Sequence, residues 1–166
     1  MSNQVTVSYL QMTCVDQLKG KPAPSDDALV VECQSPQFEL NRFFYQYVGA
    51  AWQWFDKANW TEQQWRDYAL RDELKLFMLL WQGSPAGYFE LERQRDGSVQ
   101  IAYFGVAPGF LDKGLGGFLL TQALQHAWQW GTDRVWVHTC DLDHPNALAN
   151  YQARGMTVYK TEIECD

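Results

Sequence analysis

The sequence predicts an α/β fold, a mixed and mostly antiparallel sheet with helices on its faces, and three observations predict it. Runs of period-two alternation and of helical spacing follow one another in the order β-β-α-α-β-β-β-α-β-α-β. Tight turn signals at Gln82-Gly83-Ser84-Pro85 and Asp96-Gly97 separate three strands, at 74–81, 87–93 and up to Val106, and so make an antiparallel meander. A glycine-rich turn then leads from the apolar run Ile101-Ala-Tyr-Phe-Gly-Val-Ala107 into a long amphipathic segment, a helix that packs on the sheet.

Taken in order, residues 5–12 form a first strand and 29–33 a second, with a Lys/Pro/Gly loop between them, and the two are expected to pair as an N-terminal hairpin. From 36 to about 50, Phe38, Leu40, Phe43, Phe44, Tyr47 and Val48 fall near helical spacing, with Ser35 as cap and Pro36 at the first helical position. A loop carrying Trp52, Trp54 and Trp60 follows, and Thr61 with Gln64 fits a capping box that opens a second helix to about Arg71. Beyond the meander, Gly116, Leu120, Ala123 and Ala127 share one side of the third helix and Gln122, Gln125 and Gln129 another. Gly131 ends it. A strand at 134–140, a short helix at 145–154 closed by Gly155, and a last strand at 156–163 complete the chain. Without a repeat or a long linker, residues 1–166 read as a single domain.

Thirteen basic against twenty acidic side chains give a net charge of −7, which repels a phosphate backbone and argues against nucleic acid as a partner. The same charge would favour a cationic amine, although it also serves solubility. Cys14, Cys33, Cys140 and Cys165 show no C-x-x-C pair and no histidine at zinc spacing, so reduced thiols and no metal site are expected. No run approaches membrane-spanning length, and the N-terminus has neither a basic start nor an apolar segment. A cytoplasmic protein without membrane attachment is expected, and a homodimer is compatible with the sequence.

Glycines at a helix start let backbone N–H groups approach an anion, and the helix dipole adds positive potential. A P-loop would need Lys-Ser/Thr after Gly114, where Leu115-Gly116 stand; a dinucleotide fingerprint would need glycine at Leu119. The stretch Val106-Ala-Pro-Gly-Phe-Leu-Asp-Lys-Gly-Leu-Gly-Gly-Phe-Leu-Leu resembles instead the pyrophosphate loop of the GNAT acetyltransferase superfamily, and the segment order is similar with an extra early strand. Leu111 stands where the family usually has Arg or Gln, and Lys113 is available to compensate. The resemblance implies acetyl-CoA as co-substrate, held by Gly105, Val106, Ala107 and Asp112, Lys113, Gly114, Leu115, Gly116, Gly117, and transfer of acetyl to an amine by direct attack. It also implies an oxyanion site at the backbone near Val106, beside Gly105.

Amide formation from a thioester needs a neutral amine and a proton for the departing thiolate. In the family a tyrosine lies four residues before a glycine of the late helix, and Tyr151 in Asn150-Tyr-Gln-Ala-Arg-Gly155 matches that frame; His144 stands where many members have Asn, with Asn146 two residues on. For the base, Glu90 and Glu92 alternate with Phe89 and Leu91 and share one face of their strand; Glu90, at its centre, is the choice, with Asp141 and Asp143 as competitors. The resemblance sets the tryptophan loop beside the acceptor, where Trp54 and Asp56 would receive a cation. His126 reads as a surface residue and His138 as an interior one, and no nucleophilic triad is defined. A CoA-binding sensor without chemistry is the alternative, and a purely structural dimer module the third.

Overall fold

The computed structural model describes residues 4–52 and 54–165; the reading of residues 1–3 lies outside them, as does the Cys165 thiol. The elements follow the expected order: β1 (Gln4–Met12), β2 (Ala28–Cys33), α1 (Phe38–Gly49), α2 (Glu62–Ala69), β3 (Leu74–Trp81), β4 (Ser84–Arg93), β5 (Val99–Val106), α3 (Gly116–Gln129), β6 (Val135–Cys140), α4 (Ala147–Ala153) and β7 (Thr157–Cys165). They build one sheet in the order β2-β3-β4-β5-β6-β1-β7, antiparallel throughout except for the parallel pair β5/β6.

The expected N-terminal hairpin does not form. β1 pairs with β6 and β7, whereas β2 pairs with β3 at the far edge of the sheet. Alternation identifies a strand but not its partner, and the intervening segment is long enough to cross the molecule. It runs over α3 and α4, where the Lys21 N–H donates to Thr121 Oγ1 at 2.8 Å and the Lys19 N–H to the Arg154 carbonyl at 2.8 Å. Two helix starts also differ. Gln37, not Ser35, occupies the N-cap position of α1 and makes no side-chain cap, and α4 begins at Ala147 rather than Pro145. The capping box of α2 is formed as read: Thr61 Oγ1 accepts from the Gln64 N–H at 3.2 Å, and Gln64 Oε1 from the Thr61 N–H at 2.8 Å.

α3 covers one face of the sheet, burying Leu119, Leu120, Ala123, Leu124 and Ala127 against Leu10, Phe89, Leu91, Val99 and Val137. Each such leucine contributes about 1.5–3 kcal/mol relative to exposure. His126, read as a surface residue, is half-buried at the edge of this packing: its ring lies 4.5 Å from that of Phe77, and partial burial lowers its pKa. α1 and α2 cover the other face, where Phe44 and Val48 meet Leu76 and Tyr88, and Phe38 and Tyr45 meet Trp65.

Two irregularities in β5 shape the site. Glu90 pairs with Tyr103 and Leu91 with Ile101, so Ala102 is an extra residue in β5, a bulge. A bulge resets the side-chain alternation: Ile101, Phe104 and Val106 pack toward α3, while Tyr103 packs toward α1 and α2. The second irregularity is the β5/β6 ladder, which contains only Val99↔Val135 and Gln100↔Trp136. β4 follows β5 to Val106 on one side, but on the other β5 and β6 diverge.

Candidate active site

The divergence opens a cavity of about 1170 Å³, large for a small-molecule site. Its walls include Gly105 and Val106 of β5, Val137 and His138 of β6, and Tyr151 of α4. Gly114–Gly117 close one end. His138, expected inside, is exposed on this wall and lies 5.5 Å from the Tyr9 ring. Gly105 has to be glycine, because a Cβ there would stand 2.5 Å from Val48 Cγ1 and 3.7 Å from the Trp54 ring.

The glycine turn is a 3-10 segment, Pro108–Lys113, ended by Gly114 at φ 71°, after which Leu115 precedes the first residue of α3. The opening N–H groups of a helix have no intrahelical partner, and the glycines lining the cavity leave them uncovered. This fits a phosphate-bearing ligand. Of the residues read as one loop, Gly105, Val106 and Gly114–Gly117 come together on the cavity, whereas Ala107, Asp112 and Lys113 stand outside its lining. The Lys113 ammonium lies 5.9 Å from the Trp81 ring centre instead. Two cationic side chains that the sequence reading missed flank the start of α3, although neither is in the cavity lining: from the position a Cβ would take on Gly117, Lys21 Cδ is 2.6 Å away and Arg154 Nη1 3.2 Å. Lys21 comes from the β1–β2 connection, and Arg154 Nε is buried without a hydrogen-bond partner among the described residues. Neither carries a motif, so only the tertiary fold reveals them.

Tyr151 is buried in its ring, which lies 6.0 Å from that of Phe104, and its hydroxyl makes no hydrogen bond to a described residue. Burial raises its pKa, and the Asp143 carboxylate adds to the rise. Asp143 itself is occupied: its carboxylate accepts from Thr139 Oγ1 at 2.6 Å, the Cys140 N–H at 3.0 Å and Trp54 Nε1 at 3.4 Å. Asp141 accepts from the Thr6 N–H at 3.0 Å and does not line the cavity. His144 Nδ1 accepts from the Asn146 N–H at 3.0 Å, and its ring lies 5.1 Å from that of Trp52.

Glu90 is 1% exposed and lies behind the cavity wall rather than in it. Tyr68, which does line the cavity, donates its hydroxyl to Glu90 Oε1 at 2.5 Å, and Asn41 Nδ2 donates to Oε2 at 2.8 Å. Burial pushes the Glu90 pKa up to about 7, against the lowering effect of these two hydrogen bonds and of the Lys57 ammonium. Glu92, on the same face, pairs with Arg71 at 2.5 Å.

The tryptophan loop closes the other end of the cavity. Trp54 packs among Tyr45, Tyr88 and Tyr103, with ring centres 6.1, 6.4 and 5.2 Å away. Asp56 accepts hydrogen bonds from the hydroxyls of Tyr103 and Tyr45. Burial opposes its ionisation, but the Tyr103 hydrogen bond and the neighbouring Lys57 prevail, and its pKa lies below the ordinary carboxylate value. Among the described residues, no cluster of three or more His, Cys, Asp or Glu is arranged to hold a metal ion, and no helix is long and apolar enough to cross a membrane.

A sheet split beside a glycine-opened helix makes a cleft with a phosphate-compatible end, and known proteins share this arrangement. The profile of the Acetyltransferase (GNAT) family matches residues 34–156, and the chain belongs to that family. No curated protein matches the chain in sequence. Among solved structures, a GCN5-related N-acetyltransferase from Kribbella flavida is similar over 96% of this chain and 57% of its own, at 15% identity and a TM-score of 0.71. The ribosomal-protein-S18-alanine N-acetyltransferase from Escherichia coli matches over 83% of this chain and 92% of its own, at 15% identity and a TM-score of 0.62. An aminoglycoside acetyltransferase from an uncultured soil metagenomic sample matches over 78% and 88%, at 14% identity and a TM-score of 0.64. These identities establish a shared fold. The chain spans 51–62% of the length of several matched structures, the Kribbella chain among them.

Proposed function

We propose that this protein is an N-acetyltransferase that moves an acetyl group from acetyl-CoA to an amine by direct attack in a ternary complex. One observation carries the reading: the gap between β5 and β6 joins, in a single cavity, the uncovered N–H end of α3, the Gly105–Val106 edge and the Tyr151 hydroxyl. Family membership supplies the co-substrate, whose thioester provides an electrophilic acyl carbon. The N–H groups of 114–117 hold its pyrophosphate, and Lys21 and Arg154 beside Gly117 add positive charge that Leu111 does not. The β5 edge at Gly105 and Val106 has no strand partner facing the gap and offers backbone donors to an oxyanion. Tyr68 relays the amine proton to Glu90, giving up its own hydroxyl proton as it receives one. Tyr151 protonates the departing thiolate. Its pKa is raised, but the same burial raises the basicity of a thiolate beside it, so donor and acceptor stay matched.

The named acceptors of the matched structures include both an aminoglycoside and a protein alanine, so the likeness does not choose between small and large amines. Amine-dependent release of thiol from acetyl-CoA tests the reading. Tyr151→Phe is expected to lower kcat about ten- to a thousandfold while CoA affinity stays near wild type. An unchanged kcat assigns Tyr151 to packing, and CoA binding without turnover on any amine leaves a sensor in place of an enzyme.

A further inference from the structure

The acceptor end of the cavity already contains a cation, and it is the chain's own. Lys57 Nζ lies 4.6 Å from the ring centre of Trp60, 4.8 Å from Tyr68 and 4.7 Å from Tyr103. It donates to Tyr103 Oη at 2.6 Å and to Asp56 Oδ2 at 3.1 Å. Three aromatic faces and a carboxylate around one ammonium form a cage that recognises alkylammonium by its charge and small radius. The Lys57 side chain is only 12% exposed, yet it ends on the wall of the cavity that contains Gly105 and Val106. Tyr103 precedes Gly105 by two residues, about 7 Å along the strand.

Each wall of the cage also has a support other than Lys57. Tyr103 and Tyr68 belong to β5 and α2; Asp56 is fixed by hydroxyls of Tyr103 and Tyr45; and Trp60 packs on Trp65, with ring centres 5.1 Å apart. Lys57 reaches in from the α1–α2 connection, its backbone N–H tethered to Tyr45 Oη at 2.9 Å. A tethered ammonium competes with a free one at high effective concentration. A flexible four-carbon stem can also withdraw without disturbing the sheet.

We propose that Trp60, Tyr68, Tyr103 and Asp56 form the acceptor's ammonium subsite, that Lys57 occupies it as a built-in competitor, and that the acceptor is an aliphatic primary amine, free or on a peptide, which displaces Lys57. The assignment of the ligand as acceptor rests on the transferase reading; the cage itself does not. Displacement brings the incoming amine over the ring of Tyr68, whose hydroxyl contacts Glu90, whereas anionic amines meet Asp56 and are rejected.

Binding of n-butylammonium, read by tryptophan fluorescence and calorimetry without CoA, tests this on wild type and Lys57→Met, which keeps an unbranched stem and removes the charge. Lys57→Met is expected to bind n-butylammonium at least tenfold more tightly than wild type and to ignore n-butanol; adding Trp60→Leu should abolish the gain. Equal affinity in wild type and Lys57→Met, or no binding to a Lys57→Met protein whose near-ultraviolet dichroism is native, overturns the proposal. Should Lys57→Met not fold, reductive methylation of the wild type decides: trimethylammonium, which keeps an N–H donor and is not itself methylated, is expected to accelerate labelling of Lys57 but not of Lys19 or Lys160, and an unchanged Lys57 rate overturns it. Ammonium binding without any acetyl transfer would refute the transferase and keep the cage; transfer without ammonium binding would do the reverse.

Discussion

Glu90 combines a carboxylate with surroundings that do not favour its charge, and its pKa of about 7 sets the pH at which it can accept a proton. In Glu90→Gln the loss of kcat/KM should be greatest above about pH 7, where Glu90 has ionised, and shrink as pH approaches the acceptor's own pKa and the amine is already neutral. Parallel pH profiles for wild type and variant would move the role to Asp143, the competing carboxylate that lines the cavity. The alternation of Phe89 and Leu91 with Glu90 and Glu92 made the shared face legible, and Asn41, Tyr68 and Arg71 all meet the two carboxylates there. Depth was not legible, because the groups that enclose Glu90 are 22 and 49 residues away in sequence. Lys57 was hidden differently: Asp56 and Trp60 are its neighbours in sequence and the tryptophan spacing suggested a cation site, but Tyr68 and Tyr103 complete the cage from other elements, and nothing local says that the lysine turns inward to fill it.

At the scale of elements, the glycine turn and the helix it opens were readable because turn chemistry and helical spacing are local. An acidic side chain at the helix start would set a negative charge against the same N–H groups that an anion needs. Gly116→Glu is therefore expected to abolish CoA binding while the protein stays folded, since a Cβ on Gly116 meets nothing nearer than Asn150 Nδ2 at 3.6 Å. Calorimetric titration with CoA checks it, and undiminished affinity in the folded variant discards the phosphate assignment. Strand partners were not readable. β1 has ordinary alternation, yet its place between β6 and β7 depends on edges made more than a hundred residues later. The bulge at Ala102 was equally hidden: strict alternation would put Ile101, Tyr103 and Gly105 on one face, and the extra residue divides them.

For the whole molecule, the raised pKa of Glu90 links stability to pH in an unusual direction. The folded state holds this proton more tightly than the unfolded chain, whose glutamates titrate near 4.5. The contribution is thus fully present below about pH 4.5, declines as pH rises and is lost above about pH 7. It amounts to something on the order of 3 kcal/mol. Urea unfolding of wild type at pH 5 and pH 8 should show the decline, and Glu90→Gln should remove most of it; an identical decline in both proteins would assign it to other groups. The two-rung β5/β6 ladder has a consequence of its own. Geometrically it is the short end of a lever: from Gln100 to Val106 the strand runs about 20 Å, so each degree of tilt between the halves of the sheet would move the far end by about 0.3 Å. Gly105 and Val106 ride near the tip. A tilt of roughly three degrees equals the 1 Å error that costs an enzyme about a hundredfold, so Val135→Ala, in the buried core at the pivot, is expected to lower kcat as well as stability, which turnover and urea unfolding of the variant would measure.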